Sequence, residues 1–168
     1  MIELNIALKP SDYVQSQFLH FRPRPVWAVV GTLLLLLLLW AIYHTWQEAL
    51  ETGEYSISFW IFIGFIVYLI GYFFIFIPLQ ARRIFKQQKA FHIPFTIFFN
   101  DNGIDSKSDL GDVNIPWSHI IRWKENDKLF LLYHSDVIFQ FIPKRLIAEE
   151  DTVKKLRGLF SAKIGKAT

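Results

Sequence analysis

The side chains that could do acid–base or metal chemistry are scattered along this 168-residue chain. Histidines stand at positions 20, 44, 92, 119 and 134, and none of their spacings is the H-x-x-x-H that binds zinc. Four acidic residues recur at short intervals: Asp101, Asp105, Asp109 and Asp112. They lack the D-x-D-x-D-G order and the distal glutamate of a calcium loop. We therefore interpret the aspartates as turn residues and the histidines as surface or strand residues.

The short motifs of common enzymes are absent from the sequence as well. The chain has no cysteine, which excludes disulfides, thiolate metal sites and cysteine nucleophiles. It also contains no P-loop, G-x-S-x-G, G-x-G-x-x-G or H-E-x-x-H sequence. From Ala90 onwards basic and acidic residues nearly balance, so no nucleic-acid partner is expected. The sequence predicts no catalytic residue, no cofactor and no metal site, and we expect the protein not to be an enzyme.

Two segments of the chain contain no charged residue, at 26–46 and 55–79. The first contains seven consecutive leucines, at 33–39. A helix needs about 20 apolar residues to cross a hydrocarbon core of about 30 Å. Both segments meet this length, and so short a chain cannot cover two wholly apolar helices with a soluble shell. We predict two transmembrane helices, the second able to end or bend at Pro78.

The charges beside these segments predict an orientation. Basic residues flank the outer ends of the pair: Arg22 and Arg24 before it, and Arg82, Arg83, Lys86 and Lys89 after it. The loop between the helices, residues 47–54, has three glutamates and no basic residue. Because Lys and Arg favour the cytoplasmic side, both termini are predicted to be cytoplasmic. The basic residues after the second helix are mainly topology determinants in this interpretation, and contact with anionic lipid headgroups is the alternative.

The amino-terminal segment has two patterns. Residues 2–8 alternate as in a half-buried strand, and Pro10-Ser11-Asp12 then signals a helix start. The helix carries Val14, Phe18 and Phe21 at i, i+4 and i+7. This apolar stripe fits a helix on the membrane surface or one packed against the carboxy-terminal domain, and the sequence leaves both open.

From Phe91 the periodicity changes to two, which indicates a small β domain. Six short strands are predicted, at 91–100, 104–108, 113–117, 120–125, 129–134 and 137–142. Asp101-Asn102-Gly103 predicts a tight turn with positive φ. A closing helix carries an apolar stripe that can cap one end of a barrel: Val153, Leu156, Phe160 and Ile164. With residues 2–8 available as a seventh strand, this plan suggests a pleckstrin-homology-like (PH-like) roll.

Three runs of residues carry a family resemblance. They are I-P-W-S-H-I at 115–120, F-L-L-Y at 130–133 and F-I-P-K-R at 141–145. With the two apolar segments and the basic exit, they resemble the YcxB-like family of small bacterial membrane proteins. The resemblance implies a bacterial plasma-membrane protein with a cytoplasmic, PH-like carboxy-terminal domain. The family has no assigned activity and no catalytic residues to transfer.

The matching residues suggest structural roles, including one for Tyr133 as a structural residue of the second run. Trp117 is expected to fill the barrel, and Pro116 to stand where a strand need not donate a ladder hydrogen bond. Ser118 is expected to hydrogen-bond at the following turn, and Pro143 to end the last strand. Lys144 and Arg145 either contact lipid headgroups or stay solvated, and solvation is the favoured interpretation.

The predicted fold is therefore a membrane α+β protein, with a helical hairpin and a small antiparallel β roll capped by a helix. Its segments are an amino-terminal strand and helix (1–25), helix one (26–46), an extracytoplasmic loop (47–54), helix two (55–79), a basic linker (80–90) and the cytoplasmic domain (91–168). The expected function is a membrane-anchored binding or scaffold module at the inner leaflet, with lipids and an unidentified protein as partners. The alternative is an accessory subunit of a larger transport or envelope complex, recognised through its hairpin. Self-association into a homo-oligomer is left open.

Overall fold

The computed structural model describes residues 2–23 and 25–167. Arg24, one of the basic residues in the orientation argument, lies outside the described residues. The chain divides into two compact units. We call the described part of residues 1–22 and 80–168 the β unit, and the described part of 23–79 the hairpin unit.

The first helix of the hairpin unit is longer than the apolar segment that predicted it. Helix α2 spans Pro25–Thr52, so residues 47–52 of the predicted loop are helical. The helix ends at Gly53, whose φ of +78° is accessible to glycine without strain, and its N–H donates to the Ala49 carbonyl at 2.9 Å. Ser56 begins the next helix by accepting a hydrogen bond from the Phe59 N–H. The connection is therefore shorter than the sequence predicted.

The second helix continues through the proline at which it was expected to end or bend. Helix α3 (Ile57–Gly71) leads through a π-helical segment (Tyr72–Phe76) into α4 (Ile77–Gln87). The Ile77 N–H donates to the carbonyl of Tyr72, five residues earlier. Proline has no N–H and its ring crowds the carbonyl four residues before it, so the wider π turn accommodates Pro78 without ending the helix. The described part of the chain thus has two helices long and apolar enough to cross a membrane, at Pro25–Thr52 and Ile57–Gln87.

A four-stranded antiparallel sheet begins the β unit. Its order is β1 (Ile2–Ile6), β2 (Phe95–Phe99), β3 (Gly103–Ser108) and β4 (Gly111–Pro116). The amino-terminal strand therefore joins the carboxy-terminal sheet, with Leu4 opposite Ile97. The prediction of a strand from residue 91 is wrong at its start, because Lys89–His92 forms a 3-10 turn and Pro94 precedes the strand.

A second antiparallel sheet consists of β5 (Arg122–Glu125), β6 (Leu129–Tyr133) and β7 (Phe139–Pro143). Every residue of β6 is buried. Phe130 and Leu132 belong to the core between the sheets, whereas Leu129, Leu131 and Tyr133 pack with Leu19 of helix α1 (Pro10–Phe21). Burial on both faces explains why this strand is a continuous apolar run rather than an alternating one.

The closing helix α5 (Glu150–Lys163) fills one end of the core, as its apolar stripe predicts. Leu156 and Phe160 are fully buried, and Val153 and Ile164 pack against the same core. The Phe160 ring lies 5.6 Å from that of Phe99, with edge-to-face geometry. The β unit is thus two antiparallel sheets and a carboxy-terminal helix around one core.

The turn between β2 and β3 forms where it was predicted, but side-chain hydrogen bonds stabilise it rather than a residue with positive φ. Among the residues that the structure describes, positive φ occurs only at Gly53, Gly111 and Gly165. Asn100 instead closes the turn, because its side-chain oxygen accepts from the N–H groups of Asn102 and Gly103. Glycine is required at 103 for space, since a Cβ there would lie 2.9 Å from both the Ile115 carbonyl carbon and the Pro116 Cα, and closer still to the Ile115 carbonyl oxygen.

Candidate functional site

The four basic residues that follow the apolar helices are all exposed. Arg82, Arg83 and Lys86 lie on α4, and Lys89 lies in the 3-10 turn after it. Among the described residues, no ion pair is found for any of them. Residues 80–100 also contain no Asp or Glu. This segment therefore offers positive charge that no carboxylate within it neutralises.

Lys144, in contrast, is not solvated as expected but is held by a carboxylate of the chain. Its Nζ lies 2.5 Å from Glu125 Oε1, with the side chains of both residues 14% exposed. Arg157 binds the same carboxylate through Nε and Nη2. Burial opposes ionisation of Glu125, but the hydrogen bonds and charges of Arg157 and Lys144 outweigh it and place the pKa of Glu125 below its ordinary value. A buried carboxylate requires such partners, which explains why the solvation expected for Lys144 is wrong.

Arg145 is held in the same way, by the amino-terminal segment. Its Nε lies 3.0 Å from Asp12 Oδ1, and its Nη2 lies 2.5 Å from Asp12 Oδ2 and 2.8 Å from the Ala7 carbonyl oxygen. Asp12 is buried and also accepts from the Lys9 N–H at 2.8 Å. The solvation expected for Arg145 holds in part, because its side chain is 35% exposed while its guanidinium is bound by Asp12. The Arg145 guanidinium and the Lys144 ammonium group each bind a carboxylate of the chain itself. Both groups are therefore less available to a lipid headgroup.

Helix α1 packs against the second sheet with a face that the apolar stripe did not predict. Its buried residues are Asp12, Ser16 and Leu19. Ser16 donates to the Tyr13 carbonyl at 2.7 Å, so both buried polar side chains of this face are satisfied. Phe18 and Phe21 remain 40% and 51% exposed. Apolar periodicity missed the docked face because two of its three residues are polar.

The aromatic side chain of Tyr133 anchors the end of this helix. Its hydroxyl is 3.2 Å from His20 Nδ1, and the His20 ring stacks on Phe139 with centroids 5.0 Å apart. Burial, followed by the positive charges of Lys124 and Arg122, lowers the pKa of His20. The neutral imidazole is therefore the form that this packing favours.

The other named residues of the three family-like runs lie in the core, at the ends of strands or in a 3-10 turn. Trp117 is buried in the core, and its Nε1 donates to the Asn100 carbonyl at 3.0 Å. Pro116 is the last residue of β4 and Pro143 the last of β7. Ser118 is exposed in the 3-10 turn Trp117–His119. Trp117 and Pro143 thus occupy the places that the sequence indicated.

A groove of about 570 Å³ opens in the β unit, and sequence reasoning did not predict it. Ile97, Ser106 and Ser108 of the first sheet line it, together with Phe139 and Phe141 of β7. Further walls come from α1 and from the 3-10 turn at Lys89–His92. None of its lining residues is Asp, Glu, Lys or Arg. This is a largely apolar recess without carboxylate, ammonium or guanidinium side chains, of the size of a small-molecule site.

Two serines of β3 indicate the groove in the sequence, but only once the pairing register of β2 and β3 is known. Ser106 pairs with Ile97 and Ser108 with Phe95, so the serines occupy inward-facing positions of β3. Two small polar residues there leave volume that larger side chains would fill. At the other end of β2, Phe99 is covered by Phe160. The apolar side chains Leu110, Val137 and Ile138 at the groove are 68%, 74% and 62% exposed.

Within residues 2–23 and 25–167, no group of three or more His, Asp or Glu side chains could hold a metal ion. Comparison with known proteins gives one match. Residues 99–157, about a third of the chain from the end of β2 into α5, match the family model described as YcxB-like protein. The family resemblance is confirmed for these residues, and the family has no characterised function. No curated protein and no solved structure matches the chain.

Proposed function

We propose that the chain is a two-pass protein of the bacterial plasma membrane whose PH-like β unit is a binding module at the inner leaflet. The pairing of β1 with β2 carries this proposal. One strand precedes the two apolar helices and the other follows them, yet they share a sheet. If the helices cross a membrane, both flanks must lie on one side of it, and the basic flanks favour the cytoplasm.

The groove supports a binding role for the β unit. It is recessed and free of charged side chains, and Leu110, Val137 and Ile138 leave apolar surface exposed beside it. Exposed apolar surface of this kind is typical of interaction sites. Among the described groove-lining residues, His20 alone has a side chain that ordinarily titrates near neutral pH. We therefore propose binding of membrane lipid and a protein partner rather than catalysis.

Reporter fusions test the topology. A periplasm-active phosphatase fused after residue 168 should be inactive, and the same enzyme inserted at Glu54 should be active. Membrane flotation of the intact chain provides the control for insertion. An active carboxy-terminal fusion, or a chain that does not float with membranes, would contradict the proposal.

A photoreactive residue at Val137 tests the binding role in cells. We expect it to crosslink a defined neighbour, whereas the same residue at the exposed Lys155 of α5 should not. Replacing residues 23–79 by an unrelated two-helix hairpin should leave the Val137 product intact. Loss of that product in the hairpin exchange would favour the accessory-subunit function instead.

A further inference from the structure

We propose that the groove of the β unit holds one acyl chain of an anionic phospholipid, with Lys86 and Lys89 beside its phosphate. The inference rests on the proposed membrane location and adds the ligand class. It rests on three observations: a largely apolar interior, exposed lysines beside the lining residues in the sequence, and lining residues close in sequence to the proposed transmembrane helices.

The interior is suited to a hydrocarbon chain. Phe139 and Phe141 form one wall, and Ile97 with the two inward serines of β3 forms another. An acyl chain makes no hydrogen bonds, so a lining without ionised groups is required for it. The volume of about 570 Å³ lies within the about 300–1,000 Å³ of small-ligand sites.

Two lysines lie next to groove-lining residues in the sequence. Lys89 lies between Gln88 and Ala90, which both line the groove, and Lys86 is two residues before Gln88. Both lysines are exposed, and residues 80–100 contain no acidic side chain. Basic residues near a membrane surface attract anionic headgroups. A largely apolar recess with exposed lysines next to its lining residues in the sequence complements an anionic lipid better than it complements an apolar peptide.

The connectivity brings the groove lining close in sequence to the proposed transmembrane helices. Phe21, which lines the groove, is four residues before the first residue of α2. Gln88, on another part of the lining, directly follows the last residue of α4. The groove lining therefore includes residues close in sequence to each of the two proposed transmembrane helices.

Photolabelling of the full chain in nanodiscs tests the proposal. The discs consist of phosphatidylcholine with a small fraction of phosphatidylglycerol that carries a diazirine at the end of one acyl chain. After irradiation, mass spectrometry locates the labelled peptides. We expect label on groove-lining residues such as Phe91, Ser106 and Phe139, in addition to label on the hairpin helices. The hairpin label serves as an internal standard for each variant.

Filling the groove should remove its label. The double variant Ser106→Leu, Ser108→Leu places two larger side chains on the inward face of β3, and we expect groove labelling to fall at least about tenfold. Ser161→Leu, an exposed serine of α5, is the matched control and should change nothing. Circular dichroism of each variant checks that the β unit is folded. A folded double variant with unchanged groove label overturns the proposal.

The contribution of the two lysines is tested separately. Lys86→Gln, Lys89→Gln should lower groove labelling by the phosphatidylglycerol probe at least about fivefold and leave labelling by a phosphatidylcholine probe unchanged. Lys155→Gln, Lys166→Gln removes two exposed lysines elsewhere and should leave both probes unchanged. Equal labelling by the two probes in the native chain would overturn the anionic specificity.

The remaining outcomes also decide between the proposals. Label confined to the hairpin helices, or a groove occupied by a co-purified peptide or a second copy of the chain, overturns the lipid inference but not the membrane location. A chain that does not enter nanodiscs at all contradicts the proposed function itself.

Discussion

At the scale of single residues, the ion pair of Asp12 and Arg145 links the two stretches of sequence that form the β unit, one before and one after the apolar helices. Asp12 is buried, and its side chain is 5% exposed, so the Arg145 guanidinium is its principal source of compensating charge. Removing one member of a buried ion pair costs about 3–5 kcal/mol, because the other charge remains desolvated. The hydrogen bond from the Lys9 N–H persists and moderates this cost.

We therefore expect Arg145→Gln to lower the free energy of unfolding of the β unit by about 3 kcal/mol. Chemical unfolding of the full chain in detergent, followed by the near-ultraviolet circular dichroism of the β unit, measures this change. Arg83→Gln, at an exposed arginine of α4, is the control and should shift the unfolding free energy by less than about 0.5 kcal/mol. Equal effects of the two variants would show that the ion pair is not stabilising.

Two partly buried histidines predict how stability depends on pH. The pKa of His20 is lowered by burial and by Lys124 and Arg122, and the pKa of His134 is lowered mainly by burial. The unfolded chain, with an ordinary histidine pKa of about 6.5, thus binds more protons than the folded chain at lower pH. Stability is complete above that value and falls as the pH drops below it.

We expect the thermal unfolding midpoint to be lower at about pH 5.5 than at about pH 7.5, with most of the difference removed in His20→Gln, His134→Gln. The exposed His92 supplies the control variant His92→Gln, which should keep the full dependence. Glu125 does not interfere, because its lowered pKa affects stability only below its ordinary value of 4.5. A double variant with undiminished pH dependence would contradict the assignment.

At the scale of the elements, Gly103 fixes how closely β3 approaches the end of β4. A Cβ at this position would lie 2.9 Å from the Pro116 Cα, and the obstacle is backbone that cannot rotate away. We expect Gly103→Ala to destabilise the β unit by about 1–3 kcal/mol, the cost of overpacking. The measurement is the unfolding midpoint of the purified full chain.

Gly158 offers the opposite case as a matched control. It lies in α5 with no atom within 4 Å of an added Cβ, so Gly158→Ala should stabilise by about 0.5–1 kcal/mol through the helix preference of alanine. A destabilised Gly158→Ala together with a neutral Gly103→Ala would refute this account of the two glycines.

Most elements could be predicted because their signals are local. Alternation located the later strands, and the apolar stripe of α5 correctly named Leu156 and Phe160. The docked face of α1 could not be predicted, because the positive charge that pairs with the buried Asp12 comes from Arg145, 133 residues away. The groove was hidden for a similar reason, since the inward direction of Ser106 is known only from its pairing with Ile97.

At the scale of the whole molecule, the β unit is built from two stretches of sequence that the apolar helices separate. Strand β1 covers an edge of β2, and α1 covers one face of β6. The family match begins at residue 99 and includes neither of these elements. The matched segment is therefore part of a larger compact unit that includes the amino-terminal strand and helix.

Chain deletion makes this testable. We expect residues 2–22, joined to 80–167 by a flexible Gly/Ser linker of about ten residues, to fold into the β unit without the hairpin. Residues 91–167 alone should aggregate or remain unfolded, because β2 then has an unpaired edge and β6 an uncovered apolar face. Dispersed amide signals in proton NMR distinguish the outcomes. A shorter fragment that folds as well as the joined one would contradict the assignment of β1 and α1 to the core.

The pairing of β1 with β2 also has a consequence during biosynthesis. Asn5 leaves the ribosome 91 residues before Thr96, with which its side chain hydrogen-bonds. At a synthesis rate of about 5–20 residues per second, β1 therefore leaves the ribosome about 5–20 s before β2, its pairing partner. In the proposed topology both apolar helices enter the membrane during this delay. A nascent chain with one helix wrongly inserted would keep β1 and β2 in different compartments. Its unpaired strands would then be exposed to proteases and chaperones. The sheet can therefore form only in a chain whose two helices are correctly inserted.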